Sequence, residues 1–139
     1  MAEKSAATTI YPVVFDTDIL IWFLRGNEKA LRAIDSVAFS RRTVSVLTLM
    51  ELIQGCRTGA EVRQVKFFVS ENFSEILFPN EVISRKAIEL LDRHALSHGL
   101  RVVDALIAAS AMDRNASLAS ANVKHYRTIA NLSLIPFKP

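Results

Sequence analysis

The chain has one cysteine, Cys56, in 139 residues, so no intrachain disulfide can form. The surrounding "QGCRTG" supplies no base to activate a thiol, which leaves Cys56 as an ordinary small residue. No Cys/His pair has the spacing of a zinc site. No apolar run reaches the roughly 18–20 residues that a membrane span needs. The opening "MAEKSAATTIYP" lacks the apolar centre of a signal peptide. Residues 1–10 therefore read as a flexible leader, residues 11–139 as one domain, and the cytoplasm as the expected location. Linkers, repeats and low-complexity blocks are also missing. Half the residues are hydrophobic, which excludes a disordered chain. The net charge of +3 permits a polyanionic partner without requiring one.

What remains is an alternation of strand-like and helix-like segments. "YPVVFD" (11–16), "TVSVL" (43–47), "SEILF" (74–78) and "ASLAS" (116–120) read as strands, with "LSLIPF" (132–137) a weaker fifth at an edge because of Pro136. An apolar, helical-looking run follows Asp18. Further helices are expected at 27–38, 47–56, 60–71, 80–97 and 102–114, with Ala30, Leu31, Ile34 and Val37 on one face of the first of these and Val82, Ile83, Ala87, Leu90, Leu91 and His94 along a stripe of the fourth. Asn80 is placed as an N-cap and Gly99 as a C-cap. Strands alternating with helices predict an α/β/α sandwich with a central, mainly parallel sheet of four to five strands. Sheets of that kind carry their sites beyond the carboxyl ends of the strands.

Two aspartates stand at such an end. In "VVFDTDILIWFLRG", Asp16 and Asp18 follow the first strand directly. Glu51 in "SVLTLMELIQG" and Asp104 in "GLRVVDALIAASA" are two more acids in apolar surroundings. Unpaired buried acids are costly, so several of them imply a shared cation, and carboxylate oxygens suit Mg²⁺ or Mn²⁺ better than zinc. Each acid also has a structural reading: Asp18 as a helix cap, Asp104 as a favourable charge near a helix start, Glu51 as the partner of an arginine. Asp113 faces the opposite side of its helix and reads as a solvent-facing residue.

These three segments, together with "LASANVKHYRTI", occur in the order found in the PIN-domain family, and the chain resembles that family from about Val13 to Phe137. Within it, the chain is similar to the VapC-like toxins of bacterial toxin–antitoxin pairs. The resemblance implies a divalent-metal-dependent ribonuclease in which Asp16, Glu51 and Asp104 are the catalytic, metal-binding acids. It implies supporting roles for Thr17 and Ser120. Asn122 stands where many members carry Asp, which leaves the number of ions open, and His125 is read as structural or RNA-facing. It further implies an RNA substrate, a cognate antitoxin and a homodimer. For the antitoxin and the dimer face, the apolar residues Ile21, Trp22, Phe23 and Leu24 and the stretch "KFFVSENF" are candidates.

Arg25, Arg101, Lys124 and Arg127, with His125, are then candidate contacts to the backbone of single-stranded RNA. No base-reading motif is visible. Two alternatives stand beside this reading. One is a degenerate PIN-like module that binds RNA or protein without cutting, motivated by Asn122. The other is a haloacid-dehalogenase-like phosphatase using Asp16 and Asp18 as D-x-D; it is opposed by Leu20 and by the absence of any adjacent Asp/Glu pair.

Overall fold

The computed structural model describes residues 11–139, and the expected leader lies outside them. Val13, Val14 and Phe15 form β1 (Val13–Phe15), and all three are buried. A strand that is apolar on both faces belongs in the middle of a sheet covered on both sides. The remaining strands are β2 (Arg42–Ser45), β3 (Glu75–Leu77), β4 (Ser117–Ser120) and β5 (Ser133–Pro136). They pair in the order β3-β2-β1-β4-β5, and every pairing is parallel. β1 is the central strand, and β5 takes the edge that its proline allows.

Among the described residues, seven α-helices cover the sheet: α1 (Thr17–Leu24), α2 (Glu28–Asp35), α3 (Val46–Gln54), α4 (Gly59–Asn72), α5 (Glu81–His98), α6 (Val102–Asp113) and α7 (Val123–Tyr126). The alternating directions of β1 side chains divide the core. Val13 and Phe15 join Ile19 and Leu20 of α1, Ala30 and Ile34 of α2, Leu52 of α3 and Phe68 of α4. Val14 faces the other way, toward Ile83 and Leu90 of α5, Ala105 and Ala108 of α6 and Tyr126 of α7. The α/β/α sandwich is thus built from one sheet and two apolar layers.

The helix ends follow their sequences. Asn80 accepts from the Ile83 N–H at 2.8 Å, and Gly99 closes α5 with φ 69°, a conformation that glycine adopts without a Cβ penalty. Ser45 accepts from the Leu47 N–H at 3.1 Å. That cap starts α3 at Val46, so β2 stops two residues before the expected end of its apolar run.

Two side chains depart from the expected faces. Leu31 and Val82 are exposed, because Ala30 and Ile34 take the buried side of α2 and Ile83 that of α5. In α6 the buried stripe consists of Ala105, Ile107, Ala108, Ala109, Ser110 and Ala111. Small residues there let the helix lie close to the sheet.

Candidate functional site

From β1 the chain runs to β2 and β3 on one side of the sheet, and then to β4 and β5 on the other. The crevice of an open parallel sheet forms where the connections change side, beyond the carboxyl ends of the strands. Here that place lies between β1 and β4. Asp16 is the first residue past β1, and its backbone N–H bonds the Ala119 carbonyl at 2.9 Å.

One Asp16 oxygen accepts from the Thr17 N–H at 2.9 Å and caps α1. The cap role considered for Asp18 therefore belongs to Asp16, since the helix starts at Thr17 and Asp18 lies inside its first turn. The other Asp16 oxygen accepts from Ser120 Oγ at 2.7 Å. Asp16 is only 6 % exposed. Burial, followed by the charge of Asp18, pushes its carboxyl up to about 7, against the opposing bonds from Ser120 and Thr17.

Thr17 carries the network to α3. Its hydroxyl lies 2.7 Å from Glu51 Oε1 and 3.0 Å from Thr48 Oγ1. Thr17 has a single hydroxyl hydrogen and the carboxylate can only accept, so that hydrogen goes to Glu51, and Thr48 completes the chain. Glu51 itself is exposed at the rim.

Asp104 enters from the opposite layer, in the first turn of α6, where its Oδ2 accepts from the Arg101 N–H at 3.3 Å. Tyr126 Oη donates to Asp104 Oδ1 at 3.3 Å. His125 Nδ1 lies 3.4 Å from Asp104 Oδ2 and 2.9 Å from the Asn122 side-chain amide. His125 is thus held inside the site at Asp104. Burial, then the charges of Asp16 and Asp104, push the Tyr126 phenol far up, so it stays a neutral donor.

Asp18 ties α1 to the turn after β4. Its Oδ2 accepts from the Ala121 N–H at 3.0 Å and lies 3.3 Å from Ser120 Oγ, whose own oxygen accepts from the Asn122 N–H at 2.9 Å. Burial raises the Asp18 carboxyl. Its Oδ1 is enclosed and has no partner.

The structure therefore joins Asp16, Thr17, Asp18, Glu51, Asp104, Ser120, Asn122 and His125 in one linked site. Arg25, Arg101, Lys124 and Arg127 are exposed. Arg25 lies over the Trp22 ring, 5.6 Å from its centroid. It shares with Glu51 a groove of about 490 Å³ floored by Ile21, Leu24, Leu52 and Val65. Two participants were not singled out from the sequence. Thr48 is a threonine inside the apolar run "VLTLME", and that polar intrusion was its only signal. Tyr126 follows His125 in "LASANVKHYRTI", and nothing in that run marks its hydroxyl as part of the site.

Among the described residues, no three His, Cys, Asp or Glu side chains stand close enough to enclose an ion by themselves. Mg²⁺ does not require this, since it keeps several waters and takes one or two carboxylates together with substrate phosphate. Carboxylate oxygens gathered at one crevice, with Asp18 Oδ1 buried and unpartnered, suit such an ion. Asp16, Asp104 and Glu51 are the residues that could hold it.

Comparison with known proteins agrees with this architecture. The model of the PIN domain family matches residues 13–131, a span that contains every acid described above. The chain belongs to the PIN-domain family. Its fold is shared by a toxin–antitoxin complex from Klebsiella pneumoniae (24 % identity, TM-score 0.75, covering 88 % of this chain and 95 % of that one). VapBC-1 from nontypeable Haemophilus influenzae is similar at 24 % identity and TM-score 0.73, with 89 % and 96 % covered. DNA-bound VapBC from Salmonella typhimurium is similar at 18 % and 0.73, with 91 % and 98 % covered. No curated protein sequence matches the chain. The PIN assignment leaves the phosphatase alternative without support, and in this PIN domain the Asp18 carboxylate that alternative needs as an acid is engaged by the backbone of Ala121. Among the described residues, no helix is long and apolar enough to cross a membrane.

Proposed function

We propose that this PIN domain is a divalent-metal-dependent endoribonuclease acting as the toxin of a toxin–antitoxin pair. The observation that carries the reading is the buried Asp16 carboxylate at the end of the central strand, with Glu51 reached through Thr17 and Asp104 through Tyr126. Asp16, Asp104 and Glu51 would hold Mg²⁺ or Mn²⁺. When bound, the ion supplies an activated water and relief of negative charge on the scissile phosphate. The chain supplies orientation. Ser120 fixes one oxygen of Asp16, Thr17 turns Glu51 inward, and Asp18 holds the turn from which Asn122 faces His125. Arg25, Arg101, Lys124 and Arg127 would bind the RNA backbone around the crevice.

Toxin–antitoxin complexes among the similar folds support an antitoxin partner. The groove between α1, α3 and α4 offers an apolar floor and charged rim suited to the apolar face of an antitoxin helix, and Glu51 is among the residues that line it. The protein is expected to act as a homodimer in the cytoplasm.

The test is cleavage of single-stranded RNA and tRNA by antitoxin-free protein with Mg²⁺ or Mn²⁺, in parallel with Asp104→Asn. Cleavage that needs the metal and falls at least a hundredfold in the variant is the expected result. Metal uptake and cleavage both absent from the wild type would instead favour the non-cutting module, whose motivation is the amide at Asn122.

A further inference from the structure

Tyr126 has no exposed surface and packs among Val14, Ala105, Ala108 and Leu118 in one apolar layer. A phenylalanine would fill that space equally well, and the chain uses eight of them against two tyrosines. A hydroxyl carried into a core must find an acceptor there. The one it finds is Asp104 Oδ1, at 3.3 Å, and it also faces Asp16. That distance exceeds the usual 2.7–2.8 Å of an O–H···O bond, and the charge of Asp16 acts on the same phenol. The adjacent His125 approaches the other oxygen of Asp104, and the Arg101 N–H meets that same oxygen. Two consecutive residues of α7 thus address the two oxygens of a single carboxylate.

We infer that Tyr126 is a positioning residue, whose hydroxyl sets the carboxylate of Asp104 toward Asp16 for a divalent ion. The inference rests on the metal-site reading above. The phenol donates only a hydrogen bond and stays neutral; it neither ligates the ion nor moves a proton. Groups that orient ligands in this way typically change metal affinity by about ten- to a hundredfold when lost.

The experiment compares wild type and Tyr126→Phe in two measurements: the Kd for Mn²⁺ by calorimetry or electron paramagnetic resonance at pH 8, and the thermal midpoint without metal. Phenylalanine keeps the ring and its packing, so the metal-free midpoint should remain within a few degrees of wild type. The Kd for Mn²⁺ should weaken about tenfold or more. A variant that restores both readouts to wild-type values shows Tyr126 to be core filling alone and overturns the inference. A wild-type protein that takes up no Mn²⁺ overturns the metal-site reading itself, an outcome distinct from wild-type and variant proteins binding equally well.

Discussion

At the scale of single residues, Asp16 is a charge placed where water is scarce. Its carboxyl titrates at 3.8 in an ordinary setting and at about 7 in the fold. Between these values the folded chain keeps a proton that the unfolded chain has released, so stability falls as pH rises through this window and levels off above it. The full stabilisation is present below 3.8. Chemical denaturation in EDTA should show this decline, on the order of a few kcal/mol. Asp16→Asn should abolish it, leaving the metal-free protein more stable than wild type at pH 8. If Asp16 holds Mg²⁺ as proposed, the ion competes with that same proton, so its affinity for the wild type should climb with pH across the window, as titration calorimetry would show. Asp16 was legible in the sequence because an acid directly after "VVF" violates the apolar pattern. Thr48 was not, because a threonine in an apolar run satisfies the pattern whether or not its hydroxyl serves a site, and Tyr126 was not, because the mixed run "VKHYRTI" does not mark its ring as buried.

At the scale of elements, helix ends decide where the acids stand. Gly99 closes α5 and delivers Leu100 and Arg101 to the start of α6, which places Asp104 in the first turn at the crevice. Gly99→Ala should cost about 1 kcal/mol, because the added Cβ opposes the left-handed backbone while meeting nothing nearer than His125 Nε2 at 3.8 Å. Urea unfolding measures that loss. A larger one would mean that the α5–α6 junction itself had moved. Caps and strand cores were readable because Asn80, Gly99 and the runs "VVF" and "EIL" each have one strong local preference. The end of β2 was not, because "TVSVL" suits strand and helix alike until the Ser45 cap resolves it. The alanine stripe of α6 was equally hidden, since alanine marks no face until a sheet lies against it.

At the scale of the whole molecule, the order of strands puts Asp16 and Ser120 side by side and leaves the cationic side chains exposed. If those cations hold RNA, Lys124→Ala should weaken binding of single-stranded RNA to a similar degree whatever its sequence. It should also reduce the slope of log K against log salt by about 0.7, the share of one phosphate contact. Fluorescence anisotropy across a salt series reads both, and an unchanged slope would place Lys124 outside the RNA path. The crevice could be located from the sequence because alternating strands and helices imply it. The pairing of β1 with both β2 and β4 could not, because no local residue pattern encodes which distant strand lies beside it.

That pairing governs when the site comes into being. The bond from Ser120 to Asp16 spans 104 residues, so β1 meets β4 only after the whole stretch between them has been made. Contacts this far apart in sequence form late and slowly. A nascent chain that stops before residue 117 lacks β4, Ser120 and α7, so its acids have no crevice to share. The crevice between β1 and β4 is therefore assembled only after residues 117–126 have joined the chain.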